Sequence, residues 1–522
     1  MSTFTQKQVG GLYELTDTAR AELVGSKYYN EDLAPTSVSE RSWNTYHISM
    51  LWVGMSVCIP SFMMASGLVG QGLSPWLAVL NVILGNVIVL IPIQLNSHAG
   101  TKYGIPFPVF ARLTFGVRGA QLPSLSRAIT ACGWNGVQCG VGGAAVMFLV
   151  KALFPSLDNS TMTAAWIGFF IFLILTWLIT SFGSKTIRIF ESVGSPILVI
   201  MSVALFVWAL VIASKAGYSF GDVVSSDISA GEVKGGFLLV FLGGLTANIA
   251  FWATMALNIP DFSRYAKSQK AQFRGQLYGM PLAMAVCAII GAIYAQATFL
   301  AQLAVDETGK AIPLFSPTDA LNYIGTGGGA RAIMFFVGIG VIIATLTTNV
   351  AANVVAPANG FSNISPKKIS YRLGTTFACL IAIIYFALNL SGSAAGPMFT
   401  FLNVYGGILA PVAAIFIADY YIVKKRNLDV QALYMGSGGR YWYQSGWNLR
   451  AILAWVLGAI IPTVVSILQA AGVSDIPAVL TWINANAYIF GFVVAFILYI
   501  LFMQNEKGSS ISDEEEAALT EV

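Results

Sequence analysis

Long apolar runs with almost no charge recur along this chain and restrict its fold more than any other feature. Trp166–Phe182 and Ala485–Phe502 are two of them, and each approaches the roughly 20 residues that a helix needs to cross a bilayer. Only 10% of the 522 residues are Asp, Glu, Lys or Arg, whereas a soluble domain carries about 25%. The runs are also too continuous for the alternating strands of an outer-membrane barrel. The sequence therefore predicts an all-α polytopic membrane protein.

Breaking the apolar windows at charged and Gly/Pro clusters predicts about 12 transmembrane helices. We expect an N-terminal cytoplasmic segment at 1–45, a transmembrane domain at 46–505 and an acidic, solvated tail at 506–522. The predicted spans are 48–68, 75–95, 127–150, 163–182, 193–213, 236–258, 278–303, 332–356, 373–390, 397–422, 451–470 and 485–503.

The positive charges predict the orientation of these helices. The loops on one side hold 18 Lys and Arg residues and the loops on the other side hold five. Because Lys and Arg concentrate in cytoplasmic loops, both termini are expected in the cytoplasm. No short apolar stretch precedes a small-residue cleavage site, so we expect no removable signal peptide. These features predict a multi-pass protein of the plasma or inner membrane.

Charge and reactive residues disfavour several other functions. The net charge of +4 is not gathered into one basic region, so nucleic acid is not an expected partner. The five cysteines lie in apolar segments without metal-ligand spacing and are expected to be buried thiols. His47 and His98 are the only histidines, so an enzyme's nucleophile–base pair or metal cluster is hard to assemble.

Helix breakers near the middle of spans one and six suggest a binding site. Span one contains Gly54 and Pro60, and span six contains Gly243 and Gly244. Gly and Pro are common in membrane helices, but broken helices at the start of two five-span halves are typical of inverted-repeat transporters. We expect the repeats at about 46–213 and 236–422, with two extra helices at about 451–503.

The polar residues inside the spans are almost all neutral. No Asp, Glu, Lys or Arg is expected at the centre of a span, which disfavours a proton relay or an intramembrane ion pair. Neutral oxygens can still hold sodium, and Thr347 and Thr348 in span eight and the carbonyls near Gly54 and Val57 in span one could supply them. The hydroxyl of a lone threonine usually bonds to a carbonyl of its own helix. An adjacent pair of threonines that faces a broken helix is a stronger indication of a sodium site.

A second neutral group suits a flat polar ring. Trp134 and Gln138 are one turn apart on span three, Trp252 lies in span six, and Asn353 lies on the same helix as the threonines. An indole can stack on a ring, while a carboxamide both donates and accepts hydrogen bonds. Membrane tryptophans are more often interfacial anchors, but these two are too deep for that role. The pattern predicts a neutral, hydrogen-bonding solute.

At these residues the chain resembles the nucleobase:cation symporter-1 family, which contains hydantoin, allantoin, cytosine, uracil and purine permeases. The allantoin and hydantoin branch is the most similar in appearance. The resemblance runs from about Asn30 to Gln504. Its most specific stretches are Asn30–Pro35, Gly100–Pro108, Asn258–Arg264, Asn349–Asn353 and Ala418–Tyr421.

The resemblance implies a LeuT-like five-plus-five inverted repeat that works by alternating access, with import of a nucleobase-like ring by cation symport. It implies that Trp134 and Trp252 sandwich the ring and that Gln138 and Asn353 bond to it. Cys58 stands where allantoin and hydantoin relatives are expected to have a substrate-binding amide. The implied sodium ligands are Gly54, Val57, Ala344, Thr347 and Thr348.

Several alternatives remain open at this point. Protons could replace sodium as the coupling ion, and an uncoupled facilitator would use the same ring-binding residues. No cofactor is expected beyond the coupling cation. The sequence does not distinguish among the ring compounds, and it leaves the oligomeric state open because a lipid-facing surface and a subunit contact are equally apolar.

Overall fold

The computed structural model of the chain is mainly helical and describes residues 4–225, 236–317, 319, 323, 328–388, 395–473, 475–506 and 509–521. The apolar runs form helices because a helix satisfies its backbone hydrogen bonds internally, as hydrocarbon requires. Up to residue 225 the helices are α1 (Asp17–Leu23), α2 (Thr45–Ser56), α3 (Ile59–Gly70), α4 (Pro75–Tyr103), α5 (Phe107–Phe115), α6 (Gln121–Leu153), α7 (Met162–Ser181), α8 (Ser184–Lys215) and α9 (Phe220–Ser225).

The second half continues in the same way. Wider π-helical turns at Asn349–Val354 and Ala418–Val423 extend two of its helices. The helices after residue 236 are α10 (Phe237–Phe251), α11 (Ala253–Asn258), α12 (Pro260–Ser263), α13 (Gln269–Leu300), α14 (Gly328–Thr348), α15 (Val355–Ile364), α16 (Tyr371–Ala387), α17 (Ala395–Ile417), α18 (Leu449–Ala470), α19 (Ala478–Ala485), α20 (Ala487–Met503) and α21 (Asp513–Leu519).

Short strands join the two ends of the chain. The described strands are β1 (Gln6–Val9), β2 (Leu12–Leu15), β3 (Ala304–Val305), β4 (Ala311–Ile312) and β5 (Thr520–Glu521). β1 pairs antiparallel with β2 and parallel with β5, while β3 and β4 form a separate hairpin. The N-terminal and C-terminal segments therefore pack together.

The acidic tail is only partly solvated, which corrects the sequence-based expectation. Asp513, Glu514 and Glu515 are exposed, but Glu516 is buried. Its Oε1 accepts hydrogen bonds from the Tyr103 hydroxyl at 2.5 Å and from Lys102 Nζ at 3.4 Å. Burial of Glu516 against the end of α4 keeps the tail folded onto the bundle.

The structure supports the predicted number of spans. Nine described helices are long and apolar enough to cross a membrane, and the bent pairs α2–α3 and α19–α20 bring the number to 11. The 17-residue apolar helix α16 coincides with the remaining predicted span. Several helices begin earlier than predicted, as α8 does at Ser184 rather than at 193, because polar residues at a membrane surface can continue a helix.

Both predicted broken spans are interrupted, but the sixth breaks later than its glycines suggest. α2 and α3 meet at 54° around Val57 and Cys58. In span six, Gly243 and Gly244 remain inside α10 and the interruption falls at Trp252. A glycine costs a helix only about 1 kcal/mol, and a Cβ on Gly244 would lie 2.6 Å from Leu68. The glycine therefore serves close packing here.

Small residues hold the broken first span against α13. A Cβ on Gly279 would lie 2.7 Å from Trp52, and one on Gly291 would lie 2.2 Å from the Phe62 carbonyl oxygen. Close backbone approach through small residues is a common way for membrane helices to pack. α13 thus supports both α2 and α3 and fixes the position of the break between them.

Charged residues are buried inside membrane helices, although away from the helix centres, where the sequence predicted none; besides Asp419 at the end of span ten, they include Arg127 and Glu191. Arg127, assigned from sequence to a loop end, lies within α6 and donates to the Thr254 carbonyl at 3.0 Å, to Asn258 Oδ1 at 3.0 Å and to the Ala352 carbonyl at 2.7 Å. Glu191 lies within α8 and is also buried. Arg127 is the first residue of the predicted span 127–150 and Glu191 lies two residues before the span 193–213, but both are well inside the longer helices, so hydropathy alone misplaced them.

Candidate functional site

Two buried tryptophans from different parts of the bundle both contact Phe251. The Trp134 ring of α6 is 5.8 Å from the Phe251 ring, at 72°, and Phe251 is 5.0 Å from the ring of Trp252 at the α10–α11 break. The Trp52 ring packs edge-on against the Trp252 ring, with 5.1 Å between the ring centroids. The interruption at Trp252 thus places a second indole near Trp134.

The predicted amides lie at the same place and have hydrogen-bonding capacity to spare. Gln138 is buried one turn after Trp134, and its Oε1 has no hydrogen-bond partner in the part of the chain that the structure describes. The same holds for Nε1 of Trp252 within the described residues. Asn353 Nδ2 donates to Asn349 Oδ1 at 3.1 Å. The group therefore offers an unused acceptor and an unused donor.

These side chains surround a small cavity, which we call the indole cavity. It is lined by Met55, Trp134, Gln138, Phe251, Trp252, Thr254, Thr348, Ala352 and Asn353. Its free volume is about 20 Å³, which is room for one or two water molecules. A ring compound would fit only after the side chains move apart.

Cys58 lies at the break between α2 and α3, beside the indole cavity but not in its lining. Its thiol is 3.2 Å from the Ser61 hydroxyl. The side chains of Gln138 and Thr348 are also among its hydrogen-bonding neighbours. Cys58 therefore connects the cavity to the predicted cation ligands.

Four of the five predicted sodium ligands form one hydrogen-bonded group, which we call the threonine cluster: Gly54, Ala344, Thr347 and Thr348. Thr347 Oγ1 is 3.1 Å from the Gly54 carbonyl oxygen and 2.9 Å from that of Ala344. Thr348 Oγ1 is 3.0 Å from the Gly54 carbonyl and 3.1 Å from that of Ala344. The hydroxyls join α14 to α2 rather than bonding only within their own helix.

Val57, the fifth predicted ligand, lies at the end of α2. Its N–H donates to the Val53 carbonyl at 2.9 Å, and its ψ of 78° departs from helical geometry. Its side chain belongs to an apolar cluster against which Ala344 packs. The structure thus brings Val57 close to the threonine cluster.

Three residues of this region were missed by sequence reasoning. Tyr405 accepts a hydrogen bond from Trp134 Nε1 at 3.4 Å, and Arg127 bonds to the carbonyl beside Asn353. Glu191 lies against Gly54, since a Cβ on that glycine would be 1.9 Å from Oε2 of Glu191. The polar and small residues Glu191, Gly194 and Ser195 lie together on α8. This cluster was the sequence feature that could have indicated a buried polar contact at Glu191.

A larger polar cavity, the vestibule, opens where the specific stretches of the family resemblance meet. Its volume is about 750 Å³, and Asp32, Asp261, Arg264 and Asn359 are among its lining residues. Asp261 Oδ1 accepts from the Phe107 N–H at 3.0 Å, and burial raises the pKa of Asp261 to about 6. Asn359 lies on α15, which follows directly on the π-helical turn that contains Asn353.

Comparisons with known proteins agree with this architecture. The chain is 36% identical to the purine-uracil permease NCS1 of Arabidopsis thaliana, over 94% of this chain and 80% of that protein. It is 32% identical to the allantoin permease of Bacillus subtilis, over 93% of this chain and 95% of that protein. It shares the fold of Mhp1, a nucleobase-cation-symport-1 family transporter solved in a closed conformation with bromovinylhydantoin bound. The TM-score is 0.73 and the sequence identity is 22%, over 94% of this chain and 99% of that chain.

These findings confirm the predicted fold class and the predicted family resemblance. The matched sequence profile describes a permease for cytosine/purines, uracil, thiamine and allantoin, and it covers residues 35–494. This is a family of membrane transporters rather than of enzymes. The chain belongs to the family of permeases for cytosine, purines, uracil, thiamine and allantoin.

Proposed function

We propose that this permease imports a nucleobase or a related allantoin- or hydantoin-type ring by cation symport, through alternating access. One observation carries the proposal: the indole cavity is lined by both tryptophans, by Gln138 and Asn353, and also by Thr348 of the threonine cluster. Thr348 would then contact both the ring site and the coupling cation.

The chemistry of the indole cavity favours a flat, neutral, hydrogen-bonding solute. In the proposed complex, Trp134 and Trp252 contact the two faces of the ring, and offset or edge-on contacts are the favourable geometries for aromatic groups. Gln138 Oε1 accepts from a ring N–H, and Trp252 Nε1 is free to donate to a ring carbonyl. Cys58, a weak donor, tunes which ring is preferred.

Sodium is the coupling cation that the threonine cluster favours. Gly54 and Ala344 offer carbonyl oxygens and Thr347 and Thr348 offer hydroxyl oxygens within hydrogen-bonding distance of one another. Neutral oxygens of this kind hold sodium in other membrane transporters with broken helices. Val57 would add its carbonyl from the helix break. Protons are the alternative coupling ion.

The proposed orientation puts both termini and the vestibule on the cytoplasmic side of the plasma or inner membrane. The excess of Lys and Arg on this side supports it. A large vestibule on that side, together with a small indole cavity, fits a state that faces the cytoplasm. We further propose that the repeats lie at 46–213 and 236–422, with 451–503 as additional helices and 1–45 and 506–522 as cytoplasmic ends.

A competition panel tests the proposed function. Purified protein in proteoliposomes is assayed for uptake of labelled uracil and labelled allantoin, with hydantoin, cytosine and hypoxanthine as unlabelled competitors. We expect saturable uptake of at least one ring, competition by a subset of the others, and accumulation only with a cation gradient. Absence of uptake of every ring contradicts the proposal. Exchange without accumulation under either a sodium or a proton gradient indicates a facilitator.

A further inference from the structure

Glu191 is an ionisable residue buried in a membrane helix without a compensating partner. Only 1% of its surface is exposed, and neither carboxylate oxygen has a hydrogen-bond partner among the described residues. Buried ionisable groups in membrane helices are costly, and they usually mark ion or substrate pathways. We propose that Glu191 is the anionic group of the coupling-cation site, a role that rests on the cation symport proposed above.

The packing of three helices brings Glu191 to the threonine cluster. A Cβ on Gly54 of α2 would lie 1.9 Å from Glu191 Oε2 and 2.8 Å from Ser195 Oγ, so only a glycine leaves room for the carboxylate. The carbonyl of the same Gly54 lies within hydrogen-bonding distance of the hydroxyls of Thr347 and Thr348 on α14. One residue of the broken helix therefore contacts both the carboxylate and the hydroxyls.

A second close approach completes the arrangement. A Cβ on Gly194, one turn after Glu191, would lie 2.9 Å from Thr347 Cγ2. α8 and α14 are thus in contact directly beside α2. Ser195 Oγ donates to the Met50 carbonyl at 2.7 Å, so its hydroxyl hydrogen is already used elsewhere.

No described neighbour neutralises the carboxylate. α2 contains no Asp, Glu, Lys or Arg. The single charged residue of α14 is Arg331, which lies at the opposite end of α14 from the threonines and donates to the Ala152 carbonyl of α6. Arg188, one turn before Glu191 on α8, donates to Ser42 Oγ at 2.6 Å. The charged residues of α13, Lys270 and Arg274, lie in its first two turns, and Glu191 is in none of the ion pairs of the described chain.

A small monovalent cation is the ligand whose chemistry fits this group. Carboxylate, hydroxyl and carbonyl oxygens are the ligands that hard cations take, and a positive charge relieves the cost of a buried anion. Sodium and a proton are the two sources of that charge. Sodium would lie between the carboxylate and the threonine cluster, whereas a proton would reside on the carboxylate itself.

The position of Glu191 also explains how a bound cation would affect the ring. Met55, the residue after Gly54, and Thr348 both line the indole cavity. A cation held between α8, α2 and α14 would fix these two lining residues. Because linkage is reciprocal, a ring that favours the same arrangement would raise the affinity for the cation by the same factor.

The test compares wild type with Glu191→Gln, which removes the charge and keeps the size, in proteoliposomes with labelled uracil or allantoin. Accumulation is driven by a sodium gradient in one arm and by a proton gradient in choline medium in the other, and counterflow is measured without any gradient. Glu22→Gln, an exposed carboxylate on α1, is the matched control. We expect Glu191→Gln to lose accumulation at least about tenfold while counterflow persists.

The two gradients identify the cation, and the variant tests the residue. Equal accumulation by Glu191→Gln and wild type overturns the proposal, as does parallel loss of counterflow in a folded variant, since Glu191 would then serve ring binding or packing. If wild type moves no ring at all, the proposed function fails separately. Tryptophan fluorescence titrated with NaCl against choline chloride, and with acid, then tests Glu191 directly, and an identical response of the variant overturns its role.

Glu191→Asp covers the case in which Glu191→Gln does not fold. The shorter carboxylate keeps the charge but withdraws it from Gly54. We expect accumulation to persist with an apparent cation affinity lowered about tenfold. An unchanged cation affinity would show that the carboxylate does not contact the cation, and the proposal would be overturned.

Discussion

The indole cavity and the threonine cluster lie side by side on the same broken helix, but their polar groups are in opposite states. In the cavity, Gln138 Oε1 and Trp252 Nε1 are buried and, among the described residues, have no partner. In the cluster, the hydroxyls of Thr347 and Thr348 both lie within hydrogen-bonding distance of the Gly54 carbonyl oxygen. The cavity has unused hydrogen bonds to offer a ligand, whereas the cluster has satisfied its own.

This difference predicts different binding behaviour at the two places. A buried unpaired polar group costs about 1–3 kcal/mol, so a ring that pairs with it recovers this energy directly. A cation must first turn the threonine hydrogens away from the carbonyls. We therefore expect ring binding and cation binding to respond differently to substitutions at these two places.

The largest expected effect comes from removing an indole wall. Trp134→Ala and Trp252→Ala should each abolish uptake without removing the folded protein from the membrane. The stacking contribution alone is about 0.5–1.5 kcal/mol, and lost apolar contact adds to it. Ring binding by purified protein and uptake by proteoliposomes measure the effect. Trp76→Ala, at a 53% exposed tryptophan, is the control, and wild-type affinity in either variant would remove that indole from the site.

The amides should come next and should act on affinity rather than on folding. Gln138→Leu and Asn353→Leu are each expected to weaken ring binding by about 1–3 kcal/mol, because a polar ring atom loses its partner. Gln71→Leu, at an exposed glutamine, controls for the change of side chain. If neither variant alters the affinity for any of the five rings, hydrogen bonding to the ring occurs elsewhere.

The sequence predicted those parts of the site that depend on residue type and helical spacing. Trp134 and Gln138 follow one another by one turn on α6, and the adjacent Thr347 and Thr348 meet the broken first span at Gly54. In a regular helix, sequence spacing alone determines which side chains lie on the same face. Trp252 and Asn353 reach the same cavity from helices that are distant in sequence, and their roles toward a ring were implied by the family resemblance.

The sequence did not predict features that depend on how helices meet. Glu191 lies only two residues before the predicted fifth span, yet the contact of α8 with Gly54 buries it. Glu516 looked solvated in an acidic run, but Tyr103 and Lys102 at the end of α4 bind it. Gly243 and Gly244 looked like a break, but both lie inside α10, and Gly244 packs closely against Leu68. Hydropathy measures composition, whereas burial of these residues is set by neighbours from remote helices.

The threonine cluster gives a sharper test of the contrast with the cavity. Sodium should raise ring affinity in wild type, and Thr348→Ala should abolish most of this increase, since couplings of this kind are about 5–150-fold. Thr345→Ala is the matched control, because Thr345 is buried on the same helix but, among the described residues, its hydroxyl bonds only to the Val341 carbonyl of its own turn. Ring affinity is measured in NaCl and in choline chloride at constant ionic strength.

The result distinguishes sodium from protons. A wild type without a sodium effect whose uptake collapses with a proton uncoupler would contradict the sodium assignment. In that case Thr348→Ala should still affect ring binding slightly, because Thr348 lines the indole cavity.

Cys58 should have a smaller effect, on ring preference. Cys58→Asn places an amide between Gln138 and Thr348, which are both neighbours of the thiol. A net hydrogen bond is worth about 0.5–1.5 kcal/mol, so the competition panel should change its rank order by severalfold. Cys58→Ser, which keeps the size without an amide, is the control. The same rank order in both variants would show that this position does not contact the ring.

The smallest expected effect concerns the vestibule, where pH rather than a ligand changes the stability of the fold. Burial raises the pKa of Asp261 to about 6, above the value of about 3.9 for an unperturbed aspartate. The folded protein therefore binds this proton more tightly than the unfolded chain does. The charged form destabilises the fold at high pH, and this cost disappears as the pH falls through about 6.

Asp261→Asn has no charge at any of these pH values and retains an acceptor for the Phe107 N–H. We therefore expect the Tm of wild type, relative to that of Asp261→Asn, to rise as the pH is lowered from about 7.5 to about 5. Thermal unfolding in detergent measures both proteins across this range. Glu22→Gln, at an exposed carboxylate, should show no such change relative to wild type. A constant difference between wild type and Asp261→Asn would mean that Asp261 stays charged, held by Arg127 and Arg264 more strongly than burial opposes it.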